Sequence, residues 1–199
     1  MYGMHGCSIK SFNGILMSEE SIHICGQSFD RASKHFGFEW PFNEIKEMSE
    51  LKKLRLFSQL KSASFGSTNL NDLGLKYVCE NTDIENLDLQ DTHITNNGIQ
   101  YLSQLKQLKY LRLKENRQLN STCIKYLNEL QNLMDLQIHE TSIDQVGIVN
   151  LNLVRLKDLL VDEMDPETLL KVSAKLPECT FLVKGKAEYF KGEVVWKKY

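Results

Sequence analysis

Prolines are scarce in this chain, three in 199 residues, and no apolar run approaches the ~18 residues that cross a bilayer. No membrane segment is expected. Cysteines neither cluster nor pair by spacing. Cys7, Cys25, Cys79, Cys123 and Cys179 are odd in number, scattered and without a CxxC motif, which argues against a zinc site and a secreted disulfide framework. They read as reduced, mostly buried thiols. The stretch "MYGMHGCSIKSFNG" has no basic region followed by an apolar run, so no secretory signal is expected and a cytoplasmic protein is. Neither sign of charge dominates. The formal net charge of −2 does not advertise nucleic-acid or membrane binding. GxSxG, HExxH, P-loop and strand–helix GxGxxG motifs are all missing. His139 with Glu140 and Asp135 resembles an acid–base group only superficially, because no nucleophile falls near them in the pattern. The chain is therefore expected to be no enzyme, with no catalytic or metal residues and no cofactor.

What is present is a core-sized apolar fraction, 42%, and an internal repeat. The pattern L-x-x-L-x-L occurs as Ile84/Leu87/Leu89, Leu108/Leu111/Leu113, Leu133/Leu136/Ile138 and Leu156/Leu159/Val161, with a weaker copy at Leu60/Ala63/Phe65. Successive copies start 24, 24, 25 and 23 residues apart. Behind each strand pattern lies a column of helix-capping residues, Asn71, Thr95, Asn120 and Asp144. Three places on is a column of small residues, Gly74, Gly98, Cys123 and Gly147, and an i, i+3 apolar stripe follows. Each unit thus predicts a short strand, a polar turn and an amphipathic helix. The small column suits a helix lying close to the strand layer. One unit cannot bury its apolar face alone, but stacked units share a continuous core.

The segments "TNLNDLGL", "THITNNGI", "TSIDQVGI" and the looser "RQLNSTCI" resemble the leucine-rich repeat family. That resemblance implies an α/β solenoid with parallel strands on a concave face and helices on a convex one. Many family members carry Asn where this chain has Thr68, Thr92, Asn116 and Thr141; threonine also bonds local backbone in turns. Three segments are expected: an N-terminal β-hairpin and aromatic cap over 1–42, repeats over 43–179, and a C-terminal β cap over 180–199. Around Asn13-Gly14 a hairpin is predicted, and "SIHIC" adds a third strand. Phe36, Phe38, Trp40 and Phe42 alternate as core cover, ahead of a helix bearing Ile45, Met48 and Leu51. Asp165 caps a helix with Pro166 at its first position, in a repeat whose turn is two residues shorter. "TFLVKGKAEYFKGEVVWKKY" reads as two or three strands joined at Lys-Gly turns, with Lys184, Lys186, Lys191, Lys197 and Lys198 making a basic tail.

Residues between the leucines of each strand face away from the core. In the last four repeats these are Asn86, Asp88, Gln90 and Asp91; Tyr110, Arg112, Lys114 and Glu115; Asp135, Gln137, His139 and Glu140; Asp158, Leu160, Asp162 and Glu163. Eight of the sixteen are acidic and two are basic. One column is acidic throughout: Asp91, Glu115, Glu140 and Glu163. The expected partner-binding residues are therefore Asp88, Asp91, Tyr110, Arg112, Glu115, Asp135, His139, Glu140, Asp158, Asp162 and Glu163. They describe a monomeric interaction module whose acidic concave face takes a protein with a basic surface. Direct nucleic-acid binding, which needs positive charge, is not expected. The resemblance extends this to an inhibitor or immunity protein neutralising a toxin or nuclease, since leucine-rich repeat proteins include inhibitors of nucleases. The alternative is an assembly factor, scaffold or substrate adaptor in a multiprotein complex.

Overall fold

The computed structural model describes residues 11–12, 15–16, 20–185 and 187–197. Cys7, Lys186 and Lys198 lie outside the described residues, as does the Asn13-Gly14 turn. The strands flanking that turn, β1 (Ser11–Phe12) and β2 (Ile15–Leu16), pair antiparallel with Phe12 opposite Ile15. A second hairpin follows, β3 (Ser21–Ile24) against β4 (Gln27–Asp30). Its turn is Cys25-Gly26, with φ of 49° and 80°, the left-handed pair that matches the twist of a two-residue hairpin. The sequence reading anticipated β3 but not β4.

One strand per repeat then builds a parallel sheet: β5 (His35–Gly37), β6 (Ser62–Ser64), β7 (Asn86–Asp88), β8 (Tyr110–Arg112), β9 (Asp135–Gln137), β10 (Asp158–Val161) and β11 (Thr180–Val183). The sheet ends in β12 (Ala187–Phe190) and β13 (Glu193–Lys197), both antiparallel, joined at the expected Lys-Gly turns. Pairing is in register from repeat to repeat. Phe36, Ala63, Leu87, Leu111, Leu136, Leu159 and Phe181 form one inward row, and all are buried. Burying such side chains contributes roughly 1.5–3 kcal/mol each before entropy. The sheet runs unbroken across positions 42/43 and 179/180, where the sequence suggested changes of segment: β5 pairs with β6 and β10 with β11. The repeating strand–turn–helix arrangement is leucine-rich-repeat-like.

The helical side is short and irregular: α1 (Asp72–Val78), α2 (Asn96–Ile99), α3 (Ile124–Leu127), α4 (Gln145–Val149) and α5 (Pro166–Lys175), with 3-10 turns beside α2 and α3. Every expected cap is made. Asn71 and Asp144 accept from the N–H of Gly74 and Gly147, Thr95 from that of Asn97, Asn120 from that of Thr122 and Asp165 from that of Thr168. The reason for the small column differs from the one expected. A Cβ on Gly98 would strike the Asp72 carboxylate, and one on Gly147 would strike the Ser121 hydroxyl. Both obstacles belong to the preceding repeat's first helical turn, not to the strand layer. The column sets how closely neighbouring repeats stack.

The threonine column bonds within its own turn. Thr68, Thr92 and Thr141 donate to the carbonyls of Phe65, Leu89 and Ile138 at 2.7, 3.1 and 2.6 Å. Asn116, fully buried, instead ties two repeats. Its amide donates to the carbonyls of Leu89 and Leu113, and its oxygen accepts from the Thr92 N–H.

At the N-terminal end Phe36 is buried, and Phe38 and Phe42 stack on each other at 3.8 Å. Trp40 is not core cover: it is 87% exposed. Because β5 ends at Gly37, strand alternation no longer governs residues 38–42. The expected helix is a 3-10 stretch, Met48–Leu56, and Ile45 precedes it as a buried anchor.

Candidate protein-binding face

Two outward rows follow from the strand register. The first runs Ser62, Asn86, Tyr110, Asp135, Asp158, Thr180; the second runs Ser64, Asp88, Arg112, Gln137, Leu160, Leu182. A hollow of about 370 Å³ lies along them, touching Tyr110, Arg112, Asp135 and Gln137. Tyr110 is 48% exposed. Arg112 is paired with Asp88 at 3.4 Å, while its Nε is buried without a hydrogen-bond partner. Asp88 also accepts from the Gln90 N–H.

Asp135 and Asp158 are direct register partners on β9 and β10. Adjacent strands run ~4.8 Å apart, and two like charges at that range repel by about 1 kcal/mol in water and by several times that where water is partly excluded. Among the described residues no lysine or arginine forms an ion pair with either one. Burial chiefly, and the neighbouring Asp158 charge, push the Asp135 carboxyl above its ordinary range; a hydrogen bond from Gln137 works the other way.

The acidic column is a turn feature. Asp91, Glu115 and Glu140 adopt left-handed backbone with φ of 49°, 65° and 58°, as does Ser67 at 57° in the uncharged first copy. Glu163, in the shorter turn, does not share this conformation. Glu115 is bridged to Lys114 at 2.9 Å and accepts from the Gln90 amide at 2.7 Å, and these two contacts hold its carboxyl below the usual range. Glu140 is bridged at 2.6 Å to Lys184 from the exit of β11, two strands on, and its N–H donates to Asp162. Asp91, Asp162 and Glu163 are exposed.

His139 is 5% exposed and does not offer the accessible contact expected of it. Its Nδ1 is buried without a hydrogen-bond partner. Burial first, then Lys114, lower its pKa; Glu140 and Asp162 raise it, and Lys184 lowers it. Leu182, an outward neighbour of Leu160, is a face residue that sequence reasoning missed, though the register of "TFLV" with "DLLV" carried the signal. The described cysteines are free. Burial pushes the thiols of Cys123 and Cys179 up to about 12 and raises that of Cys79 further, so they are poor nucleophiles. Among the described residues no group of three His, Cys, Asp or Glu is placed to hold a metal ion, and no helix is long and apolar enough to cross a membrane.

No protein-family model matches the chain, and no curated protein sequence matches it. Among solved structures, an internalin of Listeria monocytogenes (str. 4b F2365) is similar at 16% identity and a TM-score of 0.44, over 69% of this chain and 49% of the internalin chain. The chain thus matches about half the length of that structure.

Proposed function

We propose that this chain is a non-enzymatic protein-interaction module whose outward strand face binds a basic protein surface. The observation that carries the reading is the Asp135–Asp158 pair. Two neighbouring carboxylates, half-buried and without a paired cation among the described residues, cost stability, and a cation supplied by a partner would remove that cost. Tyr110 stands beside them in the same row as an exposed aromatic contact, a residue type enriched at binding centres. An inhibitor or immunity protein covering the cationic site of a toxin or nuclease is the form of the hypothesis that uses all these residues.

Affinity capture with the chain as bait tests it. The expected result is one basic protein, released by salt and lost when Asp135→Asn and Asp158→Asn are combined. Retention by the double variant at unchanged affinity sinks the reading. A second reading, as an assembly factor or adaptor, is favoured by Trp40, whose exposed indole lies off the strand face on the N-terminal cap. Capture lost in Trp40→Ala but not in the aspartate variant selects it.

A further inference from the structure

The last repeat shortens a spacing that is six or seven residues in the others. The helix cap lies six positions after Phe65, Leu89 and Ile138, seven after Leu113, but four after Val161. In the longer turns the residue before the cap, Leu70, Ile94 or Leu119, is fully buried. The next turn also reaches back to it: His93 N–H donates to the Leu70 carbonyl and Ser142 N–H to that of Leu119, both at 2.8 Å. The shortened turn leaves Ile143 only half-covered. There the link is made by a side chain, the Asp165 N–H donating to Gln145 Oε1 at 2.9 Å.

The missing residues leave a notch of about 360 Å³. Its floor is apolar, with Ile148 and Val161 buried beside the half-buried Ile143; Asp144, Asp162 and Glu163 are exposed around it. Asp144 already caps α4 and Asp162 already accepts the Glu140 N–H, yet a carboxylate has about four acceptor sites. This mixture selects its occupant. A fully apolar side chain would strip water from the carboxylates without replacing it. A small inorganic cation would leave the floor wet. An arginine or lysine lays its aliphatic stem on apolar surface and keeps its charge at the rim.

Resting on the basic-partner reading above, we propose that this notch receives one arginine or lysine side chain of the partner, its stem over Ile143, Ile148 and Val161 and its cation among Asp162 and Glu163. The test is a methyl NMR titration of the isoleucine-labelled full chain with three peptides, acetyl-Ala-Arg-Ala-amide and the same peptide with citrulline or leucine in the centre. The arginine peptide is expected to shift the Ile143 and Ile148 methyl signals saturably, with the citrulline peptide at least tenfold weaker. Combining Asp162→Asn with Glu163→Gln should weaken the arginine response by a similar factor, and Ile143→Phe should abolish it by filling the notch. An equal response to citrulline or leucine, an unchanged response in the aspartate–glutamate variant, or no shift up to tens of millimolar arginine peptide overturns the proposal. None of these variants touches Asp135 or Asp158, so a failure here leaves the face reading to its own experiment.

Discussion

Asn116 is the residue on which most backbone groups depend. Its truncation to alanine strands the carbonyl of Leu113 and the Thr92 N–H inside the protein and leaves the Leu89 carbonyl with the Thr92 hydroxyl alone. Each buried unsatisfied group costs about 1–3 kcal/mol, so Asn116→Ala is expected to lower unfolding free energy by about 3 kcal/mol or more in urea titrations, and Thr141→Val by about 1 kcal/mol. His139 gives a pH dependence with a definite sign. Burial holds its folded pKa below the ordinary histidine value of 6.5, so the unfolded chain takes up the proton first. Stability is then full above about pH 6.5 and falls as pH drops below it. Replacing His139 by Gln should flatten the urea midpoint between pH 7.5 and 5.5; an unaltered slope would show that His139 is not responsible. Asp135 behaves oppositely, because its folded pKa is raised above 3.8. The penalty is present at neutral pH and disappears in acid, so Asp135→Asn should raise the midpoint at pH 7 and not below pH 4.

At the scale of the element, the units were legible because their rules are local. A capping side chain, a leucine spacing and a Pro166 at a helix start act within a few residues, and all five caps formed as the sequence indicated. What was not legible depends on other units of the array. The Glu140 partner, Lys184, comes from the exit of β11, the Gly98 obstacle comes from Asp72, and the charges acting on His139 include Lys114, Asp162 and Lys184 from other repeats. Strand alternation predicts Trp40 as core cover, but β5 ends at Gly37 and frees the indole from that pattern. Only β3 of the second hairpin is legible, because Cys25 stands at a left-handed turn position that Asn or Asp more often marks. The glycine column supplies the matching prediction. Gly98→Ala and Gly147→Ala overfill the inter-repeat contact and should each cost about 1–3 kcal/mol, whereas Cys123→Ala, already carrying a Cβ there, should cost less. Thermal melts of the three variants decide it.

For the whole molecule, the in-register stacking of β5 to β11 means that each repeat is held by the two beside it, and stability sums over units and their interfaces. Amide exchange should therefore be slowest in β7, β8 and β9 and faster towards both ends of the sheet; uniform protection from β5 to β13 would contradict nearest-neighbour coupling.

The reversal of chain direction at β12 has a further consequence for how such a protein changes length. Between β6 and β10 every strand presents the same edge it accepts, so a 24-residue cassette duplicated there meets matching neighbours on both sides. After β11 the edge is of the opposite kind, and a duplicated cassette finds no seat. Gain or loss of units is thereby confined to the middle of the array, and the outward face can lengthen by one strand at a time while β12 and β13 stay where they are.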